Sequence, residues 1–313
     1  MIVEHLEQAL RDEAGEMAKQ PHRWNRGSAL GYCPRRLGYQ KLGVVGDPIT
    51  PRRMSILGDG TAYDLVLKDR IQRVLDDRVI DGDFLGDHEV MLEGVPISYH
   101  IDMGMQLADG RLAVVEIKTA ADMTFDRAVR GQIDESYLAQ AWFYHYATGF
   151  PVTIFIFYRK QTSHVCEVIF DSEATETIIT KRYGGNELEI AANDPLLIAE
   201  VRSPFDVKIE SRVRETVRSV RDCSSLTDLP IGVRVVEKET VSAQGKAKAE
   251  EARKLYGEPS KVNGQWSYFE TGREILGFPC SYCAFHNNCF PGVRLELDNG
   301  KVKWIVPSDL GRV

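Results

Sequence analysis

The sequence predicts an α/β fold, one core sheet wrapped by helices from both ends of the chain. Three observations predict it. Apolar, β-rich runs recur at 95–107, 112–117, 152–158 and 164–170. Segments with apolar residues at helical spacing flank and separate them. No repeat or low-complexity tract interrupts the pattern.

At 313 residues the chain has room for one large domain or two smaller ones. Hydrophobic residues make up 43% and charged residues 27%, and no apolar run approaches the ~20 residues a membrane helix needs. The first residues, Met-Ile-Val-Glu-His-Leu-Glu-Gln, lack the basic and apolar regions of a signal peptide, so a cytoplasmic protein is expected. A net charge of −7 argues against an indiscriminate binder of polyanions, which would need clustered Lys and Arg. It leaves a nucleic-acid enzyme open, because carboxylates that hold metals count as bare negative charge.

In chain order, Ile2, Leu6 and Leu10 predict a helix over residues 2–20. Pro34 opens another just after Cys33, which places that sulfur near a helix N-terminus, where a thiolate is stabilised. Residues 56–75 read as a helix carrying Gly58, Gly60 and Asp64, then Leu65, Leu67, Ile71 and Leu75. A hairpin over 88–118 follows, turning at Asp109-Gly110. Residues 132–148 form a helix with Leu138, Trp142 and Tyr146, and 152–158 with 164–170 form a second hairpin across residues 159–163. Helices are expected over 172–192 and 207–221, parted by Asn193-Asp194-Pro195. Residues 240–272 are polar and hold Gly245, Gly257 and Gly264, which reads as an exposed helix and loop, and 302–306 reads as a short strand. The expected organisation is an N-terminal helical segment (1–55), a core (56–240) and a C-terminal segment (241–313) bearing a cysteine cluster.

The first hairpin carries the chemistry. Residues i and i+2 of a strand face one side, so Glu116 and Lys118 project together while Ile117 turns into the core. Folding at Asp109-Gly110 brings Asp102 back toward the same end. Two hard carboxylates, helped by the Ile117 carbonyl, suit Mg²⁺ or Mn²⁺ in phosphodiester hydrolysis. Lys118 can then orient or deprotonate the attacking water, or hold charge developing on the phosphate. A short pattern of this kind is ordinarily a strand-edge charge beside a solvated pair. Here, though, Glu116 closes the apolar run Leu112-Ala113-Val114-Val115, where a solvated charge is unexpected. The following helix offers Gln140 and Tyr144 four apart on one face. His100 reads as a packed strand residue.

This arrangement resembles the PD-(D/E)XK nuclease superfamily, and within it the RecB-like branch. Its motif runs Asp, then Glu-X-Lys, then Gln-X-X-X-Tyr, and Asp102, Glu116, Lys118, Gln140 and Tyr144 fit in order and spacing. The resemblance implies a restriction-endonuclease-like fold, a central mixed sheet flanked by helices. Where that family often carries a metal-binding His after Gly-X-X-X, this chain has Gly60-Thr61-Ala62-Tyr63-Asp64. Asp64 is still a hard oxygen ligand, so the expected metal set is Asp64, Asp102, Glu116 and the Ile117 carbonyl. The departure leaves its affinity and choice of metal open.

Six cysteines in a reduced cytoplasm are not expected to form a disulfide framework. Cys166 lies in an apolar run and reads as a buried small hydrophobe, and Cys223 as buried or exposed. Cys280-X2-Cys283-X5-Cys289 is a cluster of soft ligands to which Cys33 could add a fourth thiolate. Spacing alone fits tetrahedral Zn²⁺ or an iron–sulfur cluster, and with zinc His286 could serve instead of Cys33. One cysteine before the nuclease motifs and three after them resembles the layout of the iron–sulfur exonucleases, the AddB nuclease domain and the CRISPR-associated adaptation exonuclease. Cys33-Pro34-Arg35-Arg36-Leu37 looks like that group's first-cysteine motif. By that likeness Cys33, Cys280, Cys283 and Cys289 hold a structural [4Fe–4S] cluster joining the N- and C-terminal segments.

The resemblance implies a metal-dependent DNA exonuclease acting on single-stranded or end-bearing DNA, 5′ to 3′, in recombination, repair, phage replication or CRISPR spacer processing. Arg35, Arg36, Arg127 and Arg130 are candidates for phosphate contacts. A helicase or recombination protein is the expected kind of partner, and a homo-oligomer is open. The alternatives are a structure-specific endonuclease, or a non-catalytic nucleic-acid-binding or redox-sensing protein.

Overall fold

The computed structural model describes residues 2–19, 23–75, 77–80, 86–182, 193–230, 236–277, 280, 283–290, 292–298 and 301–307. They fall into two compact units, Met1–Gly43 with Ile49–Pro230 and Val44–Pro48 with Ile231–Val313. Among the described residues no helix is long and apolar enough to cross a membrane.

The first unit opens with α1 (Ile2–Lys19) and α2 (Pro34–Lys41), the latter with Cys33 at its N-cap and Pro34 in its first turn. α3 (Pro51–Val74) begins ahead of the expected residue 56. Pro51 presets its first turn, and the Thr50 side chain accepts a hydrogen bond from the Arg53 amide at 3.3 Å.

The strands β1 (Val79–Ile80), β2 (His88–Leu92), β3 (Val95–Tyr99), β4 (Met103–Gln106) and β5 (Leu112–Ala120) come next. Here the expectation of one strand over 95–107 fails. β3 pairs with β2 in a two-stranded sheet of its own, while β4 pairs antiparallel with β5. Glu93 and Gly94 both take positive φ (51° and 77°), the geometry a two-residue hairpin turn requires. That turn lacks an Asn-Gly or Asp-Gly signature, and the apolar run conceals it. The chain leaves one sheet and enters the other across His100-Ile101-Asp102.

α4 (Asp122–Val129), which the sequence reading passed over, and α5 (Glu135–Thr148) carry the chain to β6 (Val152–Arg159), parallel to β5. β7 (Val165–Asp171) returns antiparallel to β6, as expected of the second hairpin. The helix expected over 172–192 is corrected where it is described. β8 (Ile178–Lys181) is a strand, in keeping with the β-branched Ile178-Ile179-Thr180, and residues 183–192 lie outside the described part. β8 pairs antiparallel with β9 (Leu197–Ser203), itself parallel to β7. α6 (Val207–Asp222) completes the unit.

The resulting mixed sheet has seven strands in the order β1-β4-β5-β6-β7-β9-β8. β5 lies inside the sheet and is buried on both faces, so Leu112-Ala113-Val114-Val115 is an unbroken apolar run rather than an alternation. Val114 packs with Phe143 and Tyr144 of α5 and Val213 and Val217 of α6. Ala113 and Val115 face the other way, into a cluster that α3 joins through Ile71. α4 lays Phe125 and Ala128 against Phe155 and Phe157 of β6. Helices therefore cover both faces of the strand that bears Glu116 and Lys118.

The second unit holds β10 (Val236–Gln244), α7 (Lys246–Tyr256), β11 (Lys261–Asn263), β12 (Trp266–Leu276), α8 (His286–Cys289), β13 (Arg294–Asp298) and β14 (Lys301–Val306). Its sheet runs β10-β12-β14-β13, with β11 on β12. The expected exposed helix is α7, but much of the expected loop is the two long strands β10 and β12. They are largely solvated, with Ala243 and Phe269 turned inward, which explains their polar composition.

Candidate active site

β5 delivers Glu116 and Lys118 to one side of the sheet, beneath α5. Glu116 is buried, and every hydrogen bond recorded for its carboxylate comes from a predicted partner. Oε1 accepts from Lys118 Nζ at 2.6 Å and from Gln140 Nε2 at 2.9 Å. Oε2 lies 2.9 Å from the Tyr144 hydroxyl. Gln140 also donates to the Tyr144 oxygen at 2.7 Å, and that hydroxyl stands 3.0 Å from the His100 carbonyl. A hydroxyl has one proton, and the carboxylate is a stronger acceptor than the neutral His100 carbonyl, so Tyr144 donates to Glu116.

α5 holds this geometry firmly. Asp134 caps it by accepting from the Ser136 amide at 3.0 Å, and Gly149 ends it in the left-handed conformation (φ 71°). Residues 27–31 lie close against its N-terminal half. A Cβ on Gly31 would stand 2.4 Å from the Ser136 Cα, and one on Gly27 2.4 Å from the buried Phe143 ring.

Asp102 enters from the break between β3 and β4. β4 stops pairing at Met103, opposite Val115, and the Asp102 Oδ2 accepts from the next inward-facing amide, Ile117, at 2.9 Å. Since N–H and C=O of one strand residue point the same way, the Ile117 carbonyl opens on the Asp102 side as well. His100 is not packed within a strand as expected. It is exposed in the same break, with Nδ1 3.1 Å from the Gly86 carbonyl oxygen.

Asp64, on α3, is tied to Asp102 by a residue the sequence reading did not single out. Lys68 Nζ lies 2.9 Å from Asp64 Oδ2 and 2.8 Å from Asp102 Oδ1. The Asp64–Lys68 spacing of four on a helix could have suggested that pair. The reach across to Asp102 is tertiary and left no mark in the sequence. Asp64 Oδ1 is buried and accepts no hydrogen bond among the described residues.

The electrostatics follow from burial. Desolvation raises the Glu116 carboxyl above its ordinary range, with Lys118 opposing the shift and Asp102 adding to it. Burial works against the Lys118 ammonium, but Glu116 and Asp102 outweigh it and hold its pKa up. The same contest at Lys68, against Asp102 and Asp64, has the same outcome.

A cavity of about 600 Å³ opens onto this cluster, lined by Glu116, Gln140 and Tyr144 together with Arg23, Arg26 and Ser28. The sequence reading missed Arg23, Arg26 and Ser28, which stand in a polar stretch with no motif. The expected phosphate contacts are placed elsewhere. Arg36 stacks 4.1 Å over the Tyr32 ring, Arg35 lies 5.7 Å from the Tyr39 centroid, and neither they nor Arg127 and Arg130 line this cavity.

The donor set of Asp64, Asp102, Glu116 and the Ile117 carbonyl consists of hard oxygens. It fits Mg²⁺ or Mn²⁺ in kind, and a cation, the Lys68 ammonium, already stands between two of its members. Among the described residues, however, no three His, Cys, Asp or Glu side chains are gathered as a finished metal cage.

The cysteines are divided. Cys33 belongs to the first unit and Cys280, Cys283 and Cys289 to the second. The Cys283 amide donates to the Cys280 carbonyl at 3.1 Å, and Cys280 and Cys289 share an apolar cluster with Phe290 and Val293. Nothing is described of the His286 side chain. Cys166 and Cys223 are buried, and burial pushes the Cys166 thiol up to about 12.

No family model and no curated protein matches the chain. Among solved structures it is similar to the one described as "Crystal structure of SSO0001", with 16% identity and a TM-score of 0.42 over 72% of this chain and 88% of that one. It is also similar to an alkaline exonuclease from Laribacter hongkongensis, with 13% identity and a TM-score of 0.35 over 60% of this chain and 77% of that one. At these values neither similarity carries an argument about function, which rests on the site itself.

Proposed function

We propose that the first unit is a metal-dependent DNA nuclease of the PD-(D/E)XK type, in its RecB-like branch. One observation carries the reading. Glu116 and Lys118 leave the same strand face, and the Gln140 and Tyr144 that the motif requires both bond the Glu116 carboxylate. A buried carboxylate surrounded by three donors is costly to build and is held for a purpose other than solvation.

When bound by Asp64, Asp102, Glu116 and the Ile117 carbonyl, Mg²⁺ or Mn²⁺ would supply Lewis acidity and lower the pKa of a coordinated water. The chain's own groups do the rest. Lys118 faces the reacting phosphate and orients the attacking water or holds the charge that develops. Gln140 and Tyr144 fix Glu116 in one rotamer. Arg23 and Arg26 offer guanidinium groups to a phosphate backbone entering the cavity.

Exonuclease action on single-stranded or end-bearing DNA, 5′ to 3′ polarity, cytoplasmic location and a role in recombination, repair, phage replication or CRISPR spacer processing come from the resemblance. So does a [4Fe–4S] cluster on Cys33, Cys280, Cys283 and Cys289, for which four thiolates are the right donor chemistry. The test is digestion of 5′- and 3′-labelled single- and double-stranded DNA with Mn²⁺ or Mg²⁺. Glu116→Ala and Lys118→Ala should each abolish it. Variants that digest DNA as well as the parent would overturn the assignment.

A further inference from the structure

Lys68 belongs to the carboxylate cluster, and no motif accounts for it. It is held by two carboxylates from different elements, Asp64 on its own helix and Asp102 in the break before β4. An ordinary helical ion pair would need only the first. The second contact closes the gap between two members of the proposed metal set and leaves the third, Glu116, to its own ammonium, Lys118.

The consequence is chemical. A lysine ammonium is a compact point charge on a flexible four-carbon stem. It satisfies Asp64 Oδ2 and Asp102 Oδ1, oxygens of two carboxylates in the proposed metal set, and it offsets the repulsion between them. A divalent ion and an ammonium cannot share that space, because each carries positive charge and each needs the same lone pairs. Asp64 Oδ1 remains buried without a donor among the described residues, so the ammonium does not use up the carboxylate's capacity. Lys68 itself is only partly covered, with about a quarter of its side chain exposed, so it has water to swing into.

We infer that Lys68 is an internal competitor for the metal: its ammonium occupies the cation position between Asp64 and Asp102, and a divalent ion enters by displacing it. The inference rests on the metal-binding reading of these carboxylates. It deepens that reading by making metal uptake an exchange of one cation for another, in which apparent affinity is lowered by the fraction of molecules with Lys68 docked. The arrangement would raise the metal concentration at which the site fills.

Two measurements on the full-length protein test this. The first is Mn²⁺ titration by calorimetry of the parent and of Lys68→Gln, where the variant should bind on the order of tenfold more tightly. The second needs no variant. Acetylation of Lys68, followed by mass spectrometry of the parent, should be slow in chelator and several-fold faster in saturating Mn²⁺, while surface lysines such as Lys160 react alike in both. Equal Mn²⁺ affinity in parent and variant, or Lys68 reactivity unmoved by Mn²⁺, overturns the exchange while leaving the metal site standing. Absence of Mn²⁺ binding in both proteins overturns the metal-binding reading itself, and the exchange with it.

Discussion

Asp102 accepts the Ile117 amide at 2.9 Å where β4 has ceased to pair, so a side chain takes over the ladder at the end of the strand pair. This fixes the carboxylate beside the strand that carries Glu116 and Lys118. It also separates two roles of one residue. The hydrogen bond needs an acceptor, whereas metal binding needs the charge. Asp102→Asn should keep the bond, stay within about 1 kcal/mol of the parent in urea unfolding, and lose DNA hydrolysis. Asp102→Ala should lose both, at a stability cost of about 1–3 kcal/mol for the orphaned amide. An active Asp102→Asn would remove Asp102 from the metal set.

Tyr144 and Gln140 are argued to act through Glu116. Tyr144→Phe removes the donor at Oε2 and leaves a buried carboxylate oxygen short of a partner, which should cost about 1–3 kcal/mol. Because the phenol acts by positioning Glu116, kcat should fall while KM for DNA holds. Titration of Mn²⁺ against activity should shift to higher concentrations in the same variant. A purely structural tyrosine would lower stability and leave both the metal dependence and kcat of the folded enzyme untouched.

What could be read in the sequence follows from the range of the interactions. The Gln140–Tyr144 pair sits at helical spacing and the Glu116–Lys118 pair at strand spacing, so both were visible as local periodicities. The two-residue turn at Glu93-Gly94 was hidden, because Glu at positive φ breaks the usual signature and residues 95–107 read as one β-rich run. β8 and β10 were missed for a related reason: β8 is short and exposed, β10 is largely solvated, and composition reported the exposure rather than the pairing. Lys68 and Arg23 reach the site only through tertiary approach.

Arg23 and Arg26 give a prediction that motif reading would not. They line the cavity that Glu116 also lines, and the segment that carries them is pinned to β3 by the Ser98 amide donating to the Asn25 carbonyl at 2.9 Å. Each guanidinium that neutralises a phosphate should contribute about one unit to the slope of log affinity against log salt. Arg23→Ala and Arg26→Ala should therefore each weaken single-stranded DNA binding, measured by fluorescence anisotropy, and flatten that slope. Binding as tight and as salt-sensitive as the parent's would place the backbone elsewhere.

The cysteine proposal has a metal-content test. Anaerobically purified protein should be brown, with about four iron and four sulfide per chain, as a four-iron cluster requires. Cys33→Ser and Cys283→Ser should each lose most of that iron. Colourless protein with stoichiometric zinc would replace the cluster with a tetrahedral zinc site, and retention of zinc in Cys33→Ser would point to His286 as the fourth ligand.

The second unit carries its own titration signature in Glu239, nearly fully buried on β10. Its carboxylate takes bonds from Arg273 at 2.7 and 2.9 Å, Lys303 at 2.7 Å and the Thr271 hydroxyl at 2.7 Å. The Arg273 contacts lead in pulling its pKa down from 4.5 to about 2, against the opposing effect of burial, with Lys303 and Thr271 adding to the pull. A carboxyl depressed in the folded state stabilises above its unfolded pKa and loses that stability as pH falls through the folded one. The contribution, about 3 kcal/mol at 1.36 kcal/mol per unit, should be complete above pH ~5 and drain away between pH ~4.5 and ~2. Glu239→Gln should be less stable at pH 7 by a similar amount, because it strands two cations beside a neutral amide. Its unfolding midpoint in urea should also fall less than the parent's between pH 6 and pH 3. Parallel pH profiles for the two proteins would mean that this cluster does not hold the sheet of β10, β12 and β14 together.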